Sequence, residues 1–161
     1  DFQCPFCRSF WTETLPQIKK TYVDTGKVLF VYRDYPLSFH PLAMPSALAA
    51  ECAGDQGKYW EMHDKIFAEQ NKLEPTAGRY TTVNYTESQL TTWAGQVGLD
   101  MKVFNECYTS RKFESEITTD MEEGTSYGVG GTPGFFVNGR YVNGAQPFTV
   151  FQSVIEEELK K

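Results

Sequence analysis

The first apolar pattern of the chain has the period of a helix. Between Pro5 and about Thr25, large apolar side chains recur at spacings of three and four, which predicts a helix with one buried face. These side chains belong to Phe6, Phe10, Trp11, Leu15, Ile18 and Tyr22. Pro16 should kink this helix and Gly26 should end it. The β-branched and aromatic run Lys27–Asp34 then predicts a strand that is buried on both faces.

The middle of the chain, from about Leu42 to Gly128, has only helical periods. Leu73–Tyr85 interrupts them without a clear period, so we expect a loop there. Thr86, followed three residues later by Gln89, predicts a capping box that begins the next helix. This block is therefore expected to contain helices and no strand.

After Gly128 the apolar period changes to two. Phe135–Val137 and Arg140–Val142 flank Asn138-Gly139, a pair that favours the tight turn of a β-hairpin. A last amphipathic helix is predicted from about Pro147 to Leu159. The predicted order is helix, strand, helical block, hairpin and helix.

Composition and charge narrow the class of protein. The chain has 161 residues, of which 40% are hydrophobic, so one substantial core and a single domain are expected. Its net charge of −6 is spread along the chain, and no cluster of basic residues interleaves with aromatic ones. Nucleic acid is therefore not expected as a partner. No apolar run approaches the ~20 residues of a membrane-spanning helix.

Two of the four cysteines lie close together, as Cys4-Pro5-Phe6-Cys7, at the start of the first predicted helix. Cysteines at this spacing are nearly one helical turn apart, so they can form a disulfide. Unpaired backbone amides at the helix start should lower the pKa of Cys4, which makes it the attacking sulfur. Cys7 lies deeper, and we expect it to keep a higher pKa and to resolve the mixed disulfide. A zinc site is disfavoured because no second ligand pair has a similar spacing.

Asp1-Phe2-Gln3-Cys4-Pro5-Phe6-Cys7, the helical block and Thr132-Pro133 together resemble the DsbA-like branch of the thioredoxin superfamily. The resemblance implies an α/β, thioredoxin-like fold with an inserted all-helical subdomain. Residues 1–161 would form a single domain, with 42–128 as the insertion and 1–41 plus 129–161 as the core. The resemblance also implies a cis-proline loop that faces the cysteine pair. The expected substrate-binding residues are Thr132, Pro133, Pro5 and Phe6.

The chain departs from that family's pattern in two places. A central strand normally leads into the CxxC helix, yet only three residues precede Cys4. We therefore expect the natural polypeptide to continue upstream of Asp1. Phe6 stands where the best-known oxidases of the family carry a histidine, so a less extreme oxidant is expected and the direction of the reaction is open.

The other two cysteines and the two histidines lie outside the CxxC motif. Cys52 and Cys107 lie in different predicted helices, either as buried thiols or as a structural disulfide. His40 could line the rim of the active site, but an ordinary surface histidine is the favoured interpretation. His63 alternates with aromatic residues and is expected to be structural.

The sequence thus predicts a thiol–disulfide oxidoreductase that forms disulfides in exported proteins through Cys4 and Cys7. The alternatives are a reductase or isomerase of the same fold, or a redox-inactive binding module. Expected partners are reduced or unfolded client proteins and a membrane or thiol redox partner that regenerates the site. We expect an extracytoplasmic location, with no metal and no cofactor.

Overall fold

Helices account for most of the chain. The computed structural model describes residues 1–76, 78 and 80–161. The helices in that part of the chain are α1 (Pro5–Glu13), α2 (Leu15–Ile18), a π-helical turn (Lys19–Val23), α3 (Ala43–Gly54), α4 (Tyr59–Leu73), α5 (Glu87–Gln96), α6 (Met101–Thr109), α7 (Glu114–Ser126) and α8 (Phe148–Glu158). The strands are β1 (Gly134–Val137) and β2 (Arg140–Asn143). None of these helices has the length and apolar character to span a bilayer.

The first predicted helix is divided at Thr14 rather than kinked at Pro16. The backbone N–H of Thr14 donates to the Phe10 carbonyl at 3.0 Å and closes α1. Pro16 then lies in the first turn of α2, where the N–H that proline lacks has no intrahelical partner. Gly26 follows the π-helical turn with φ +72°, a left-handed conformation that glycine adopts without strain.

The predicted strand Lys27–Asp34 is wrong in two respects. Among the described residues, the sheet contains only β1 and β2, so this segment has no strand to pair with. Exposed and less exposed side chains also alternate along it. Leu29 is 86% and Val31 62% exposed, whereas Tyr32 is partly buried and Asp34 is buried. A strand buried on both faces needs cover on each side, and the described chain covers only one.

A groove of about 900 Å³ lies beside this segment. Its walls include Phe30 and Tyr32 from the segment, Phe10 from α1, and Phe135 and Val137 from β1.

Helices α3–α7 form the helical block predicted between Leu42 and Gly128. The capping box is confirmed: Thr86 Oγ1 accepts from the Gln89 N–H, and the Gln89 side chain accepts from the Thr86 N–H. The predicted loop Leu73–Tyr85 corresponds to the stretch after α4, although Ala77 and Arg79 lie outside the described residues.

A disulfide between Cys52 on α3 and Cys107 on α6 fastens the helical block. The two Cα atoms are 5.8 Å apart, and both residues are buried in the core of this block. The expectation of a structural disulfide is confirmed over that of two free thiols.

The hairpin after Gly128 is confirmed, with β1 and β2 antiparallel and Phe135 opposite Val142. Both turn residues, Asn138 and Gly139, have positive φ as the tight turn requires. A second core cluster joins this hairpin to the helices at either end of the chain through Phe10, Leu15, Ile18, Tyr22, Val142, Phe151 and Ile155. This cluster holds α1 against the hairpin and so places the cysteine pair beside the loop that precedes β1.

Candidate active site

Cys4 and Cys7 meet at the N-terminus of α1, and both are reduced thiols. Cys4 is the residue before the first helical turn, with extended backbone, and Pro5 occupies the first helical position. Proline suits this position because its fixed φ is helical and it has no N–H to leave unpaired. The amides of the following residues can then point toward the Cys4 sulfur.

The two thiols ionise very differently. The pKa of Cys4 is lowered to about 5, and the largest cause is the hydrogen bond from the Cys7 thiol. Hydrogen bonds with Thr132 and from the Cys7 backbone lower it further, while burial opposes them. Burial raises the pKa of Cys7 well above its ordinary value. At neutral pH the reduced pair is therefore a Cys4 thiolate beside a protonated Cys7 thiol.

The loop before β1 lies against Cys4. The Thr132–Pro133 peptide bond is cis, and in the thiol form Cys4 Sγ donates to the Thr132 carbonyl at 3.4 Å. Tyr35 fixes the approach to this loop because its hydroxyl donates to the Val129 carbonyl at 3.0 Å. Backbone and sulfur are thus in contact across a sequence separation of 128 residues.

Cys4 is almost completely buried in this structure. The residue is only 2% exposed, because the Thr132–Pro133 loop packs against the sulfur and Asp1 lies on another side. Phe6, by contrast, is 41% exposed and projects from the start of α1. The predicted substrate-binding residue Pro5 is buried.

An aromatic pair lies next to the cysteine motif. The rings of Phe6 and Tyr80 are 5.1 Å apart between centroids, and Tyr80 belongs to the loop after α4. Arg8 holds this loop, since its Nη2 donates to the carbonyls of Gly78 at 3.3 Å and Thr81 at 3.0 Å. No local pattern predicts these hydrogen bonds, because Arg8 and its partners are 70 and 73 positions apart in sequence.

Sequence reasoning missed Asp1, and it offered His40 at the rim of the active site only as the less favoured alternative. The favoured interpretation of His40 as an ordinary surface histidine is wrong: it is 8% exposed, and its Nδ1 lies 2.8 Å from Asp1 Oδ2. The other oxygen of Asp1 accepts from the backbone N–H of Cys4 at 3.1 Å. An acidic residue three positions before Cys4 was the available signal, but its partner is 39 residues away in sequence.

His63 has a different environment. Its ring packs edge-on against Phe2, Tyr32 and Phe67, and its Nδ1 lies 2.9 Å from Asp64 Oδ1. The environment of His63 is thus one of packed aromatic rings, and its acidic neighbour follows it directly in sequence.

Two carboxyl groups influence each other at the end of the segment 28–35: Asp34 is buried, and Glu51 on α3 is half-buried. Burial raises the pKa of Asp34 to about 6 and that of Glu51 to about 7, and each is raised further by nearby acidic charge. Within the described residues, no group of three or more His, Cys, Asp or Glu side chains is placed to hold a metal ion.

Comparison with known proteins decides the family. The model of the family described as Thioredoxin matches residues 1–157. The chain belongs to the thioredoxin family. This thioredoxin-family chain superposes on BdbD from Bacillus subtilis with a TM-score of 0.83 and 24% identity, covering 100% of this chain and 84% of that one. For alpha-DsbA1 from Wolbachia pipientis the TM-score is 0.80 at 22% identity, with 99% and 82% covered. The fold expected from the resemblance to DsbA-like proteins is therefore confirmed.

Curated relatives of this thioredoxin-family chain fall into two groups. It is 36% identical over 146 residues to the Na(+)/H(+) antiporter NhaA 1 of Salinispora arenicola, but spans only 20% of that protein. It is 27% identical over 163 residues to the probable disulfide bond formation protein D of Bacillus anthracis, covering 100% of this chain and 71% of that protein.

Proposed function

We propose that this chain is a thiol–disulfide oxidoreductase in which Cys4 exchanges with clients and Cys7 is its disulfide partner: Cys7 leaves when a client is oxidised and resolves the mixed disulfide in the reverse direction. The observation that carries the proposal is the split between the two thiols, with the pKa of Cys4 lowered to about 5 and that of Cys7 raised. Thiol–disulfide exchange needs one sulfur that attacks and leaves readily and a second that acts only on the intermediate.

The favoured direction is oxidation of clients. A client thiolate attacks Cys4 in the Cys4–Cys7 disulfide, and Cys7 leaves and takes up a proton. A second client thiolate then attacks the client sulfur of the mixed disulfide, which releases Cys4 as a thiolate. A thiol of low pKa is a good leaving group, so this second step is favoured by the ionisation of Cys4.

Client recognition would rest on backbone contacts at Thr132. Its carbonyl lies next to Cys4 Sγ, so an extended client segment paired with this residue would bring a client cysteine to the reactive sulfur. Main-chain pairing is independent of client sequence, which suits an enzyme that acts on many chains. Pro133 would complete the surface, and the exposed ring of Phe6 would contact client side chains beside the cysteine.

The reduction potential of the Cys4–Cys7 couple tests the direction. Stabilising the Cys4 thiolate stabilises the reduced form, so we expect a potential closer to the oxidising end, above about −200 mV. A value near that of thioredoxin, about −270 mV, would instead support the reductase or isomerase alternative. Lack of any turnover in insulin reduction would support the third candidate, a redox-inactive binding module.

We also propose reduced or unfolded proteins as clients, a thiol redox partner that regenerates the disulfide, and an extracytoplasmic location. The Cys52–Cys107 disulfide supports the location because such bonds persist in oxidising compartments. The printed name of the Bacillus anthracis relative supports the reaction. We further propose residues 42–128 as the insertion and 1–41 plus 129–161 as the core.

A further inference from the structure

The Asp1 carboxylate connects His40 to the start of α1. Its Oδ1 accepts from the backbone N–H of Gln3 at 2.8 Å and of Cys4 at 3.1 Å. Its Oδ2 accepts from the backbone N–H of Leu37 at 2.9 Å and faces His40 Nδ1 at 2.8 Å. The Asp1 side chain is 0% exposed. A buried carboxyl group that accepts this many hydrogen bonds is held in its ionised form.

This contact fixes how the His40 ring carries its hydrogen. A carboxylate can only accept, so Nδ1 must be the protonated nitrogen of the neutral ring. The basic lone pair of His40 is therefore on Nε2. His40 is thus oriented by Asp1 as a base, although it touches neither sulfur in the described contacts.

The charge of the Asp1–His40 pair depends on that lone pair. With Nε2 protonated the pair is neutral, and with Nε2 unprotonated the pair carries one negative charge next to Cys4. Burial lowers the pKa of His40 below its ordinary value, and the charge of the Cys4 thiolate opposes this effect. The Asp1 carboxylate, 2.8 Å from Nδ1, also favours the protonated ring. Formation of the thiolate and protonation of His40 therefore favour each other.

We propose that His40, oriented by Asp1, takes up the proton that is released when a client dithiol reduces the active site. The inference rests on the proposed function. Oxidation of a client dithiol frees two protons and transfers two electrons to the Cys4–Cys7 disulfide. One proton binds to Cys7, but Cys4 stays a thiolate, so the second proton must go elsewhere. His40 is a base that becomes stronger at that moment because the thiolate has formed.

His40 is a positioning and charge-balancing residue in this account. The chain has two histidines, so the titration of each ring can be followed separately. Proton NMR would follow the ring signals of both histidines against pH, in the protein oxidised by diamide and in the protein reduced by dithiothreitol. At a fixed pH, the ratio of protonated to neutral His40 should be at least about two-fold higher in the reduced protein. His63 is the internal control and should titrate alike in both states, because its charged neighbours are Asp64 and Lys19 and not Cys4.

Equal titration of His40 in the two redox states would overturn the proposal. Cys4→Ser provides a second check: it has neither the disulfide nor the thiolate, so under reducing conditions its His40 should titrate as in the oxidised wild-type protein. If His40 titrates alike but client oxidation proceeds, only this inference fails. If clients are not oxidised while the titration difference is present, the proposed function fails instead.

A matched pair of variants gives a readout that a purely structural role would not change. Asparagine can keep the hydrogen bond to Asp1 but cannot titrate. His40→Asn should increase the protons released per active site reduced by dithiothreitol near pH 6, and His63→Asn should leave that number at the wild-type value. No increase in a folded His40→Asn variant would contradict the proposal.

Discussion

Replacing Cys7 by alanine tests which interaction holds Cys4 as a thiolate. Backbone amides at the start of α1 were expected to stabilise the thiolate, whereas the hydrogen bond from the Cys7 thiol has the larger effect on the pKa of Cys4. Alanine removes that donor and leaves the helix start in place. Serine keeps an O–H donor at the same position and serves as the matched control.

The expected size follows from the strength of a hydrogen bond to a charged group. Such a bond contributes about 1.5–3 kcal/mol, which corresponds to roughly 1–2 pKa units. From its value of about 5, the pKa of Cys4 should therefore rise to roughly 6–7 in Cys7→Ala. The thiolate fraction at pH 6 would fall from about 90% to between roughly 10 and 50%.

The rate of alkylation by iodoacetamide between pH 4 and 8 measures this shift, because only the thiolate reacts. In Cys7→Ala, Cys4 is the single thiol outside the Cys52–Cys107 disulfide, so the label has one site. The midpoint should move upward in Cys7→Ala and by less in Cys7→Ser. A midpoint that stays near 5 in Cys7→Ala would refute the role of the thiol hydrogen bond and assign the effect to the helix start.

Three further predictions concern stability. Replacing both Cys52 and Cys107 by alanine opens a link across 55 residues and should lower the free energy of unfolding by about 2–4 kcal/mol in urea, with the alkylation profile of Cys4 unchanged. Glu51 has its pKa raised to about 7, so its ionisation in the fold costs stability as pH rises from about 4.5 through 7. Glu51→Gln should therefore raise the free energy of unfolding at pH 8 by about 1–3 kcal/mol and leave it nearly unchanged at pH 4; an equal effect at both pH values would contradict this. Arg8→Met should speed hydrogen exchange in the loop around Thr81 and cost about 1–3 kcal/mol, whereas exchange at the wild-type rate would show that the guanidinium does not hold the loop.

Local chemistry explains why the cysteine motif, the capping box and the hairpin were predictable. Each depends on residues within a few positions of one another: Cys4 with Cys7 at a helix start, Thr86 with Gln89, and two turn residues that accept positive φ. The period of the apolar residues then located the helices of the block, because burial of one face requires it.

The rest depended on partners far away in sequence. The segment Lys27–Asp34 has strand composition, but a strand forms only beside another strand, and composition does not say whether one is present. His40 looked like a loop histidine because Asp1, which buries and orients it, is 39 residues away. The clamp from Arg8 to the loop after α4 joins residues separated by 70 and 73 positions, and no local pattern encodes it.

Transfer of the disulfide to a client tests the central claim most directly. Protein oxidised at Cys4 and Cys7 would be mixed with an equimolar reduced peptide that contains two cysteines, and both masses followed after acid quenching. The account predicts that the peptide loses two hydrogens as the protein gains two, and that Cys7→Ala loaded with a mixed disulfide carries the peptide on Cys4. An oxidised protein that leaves the peptide reduced, or an adduct found on any cysteine other than Cys4, would contradict it.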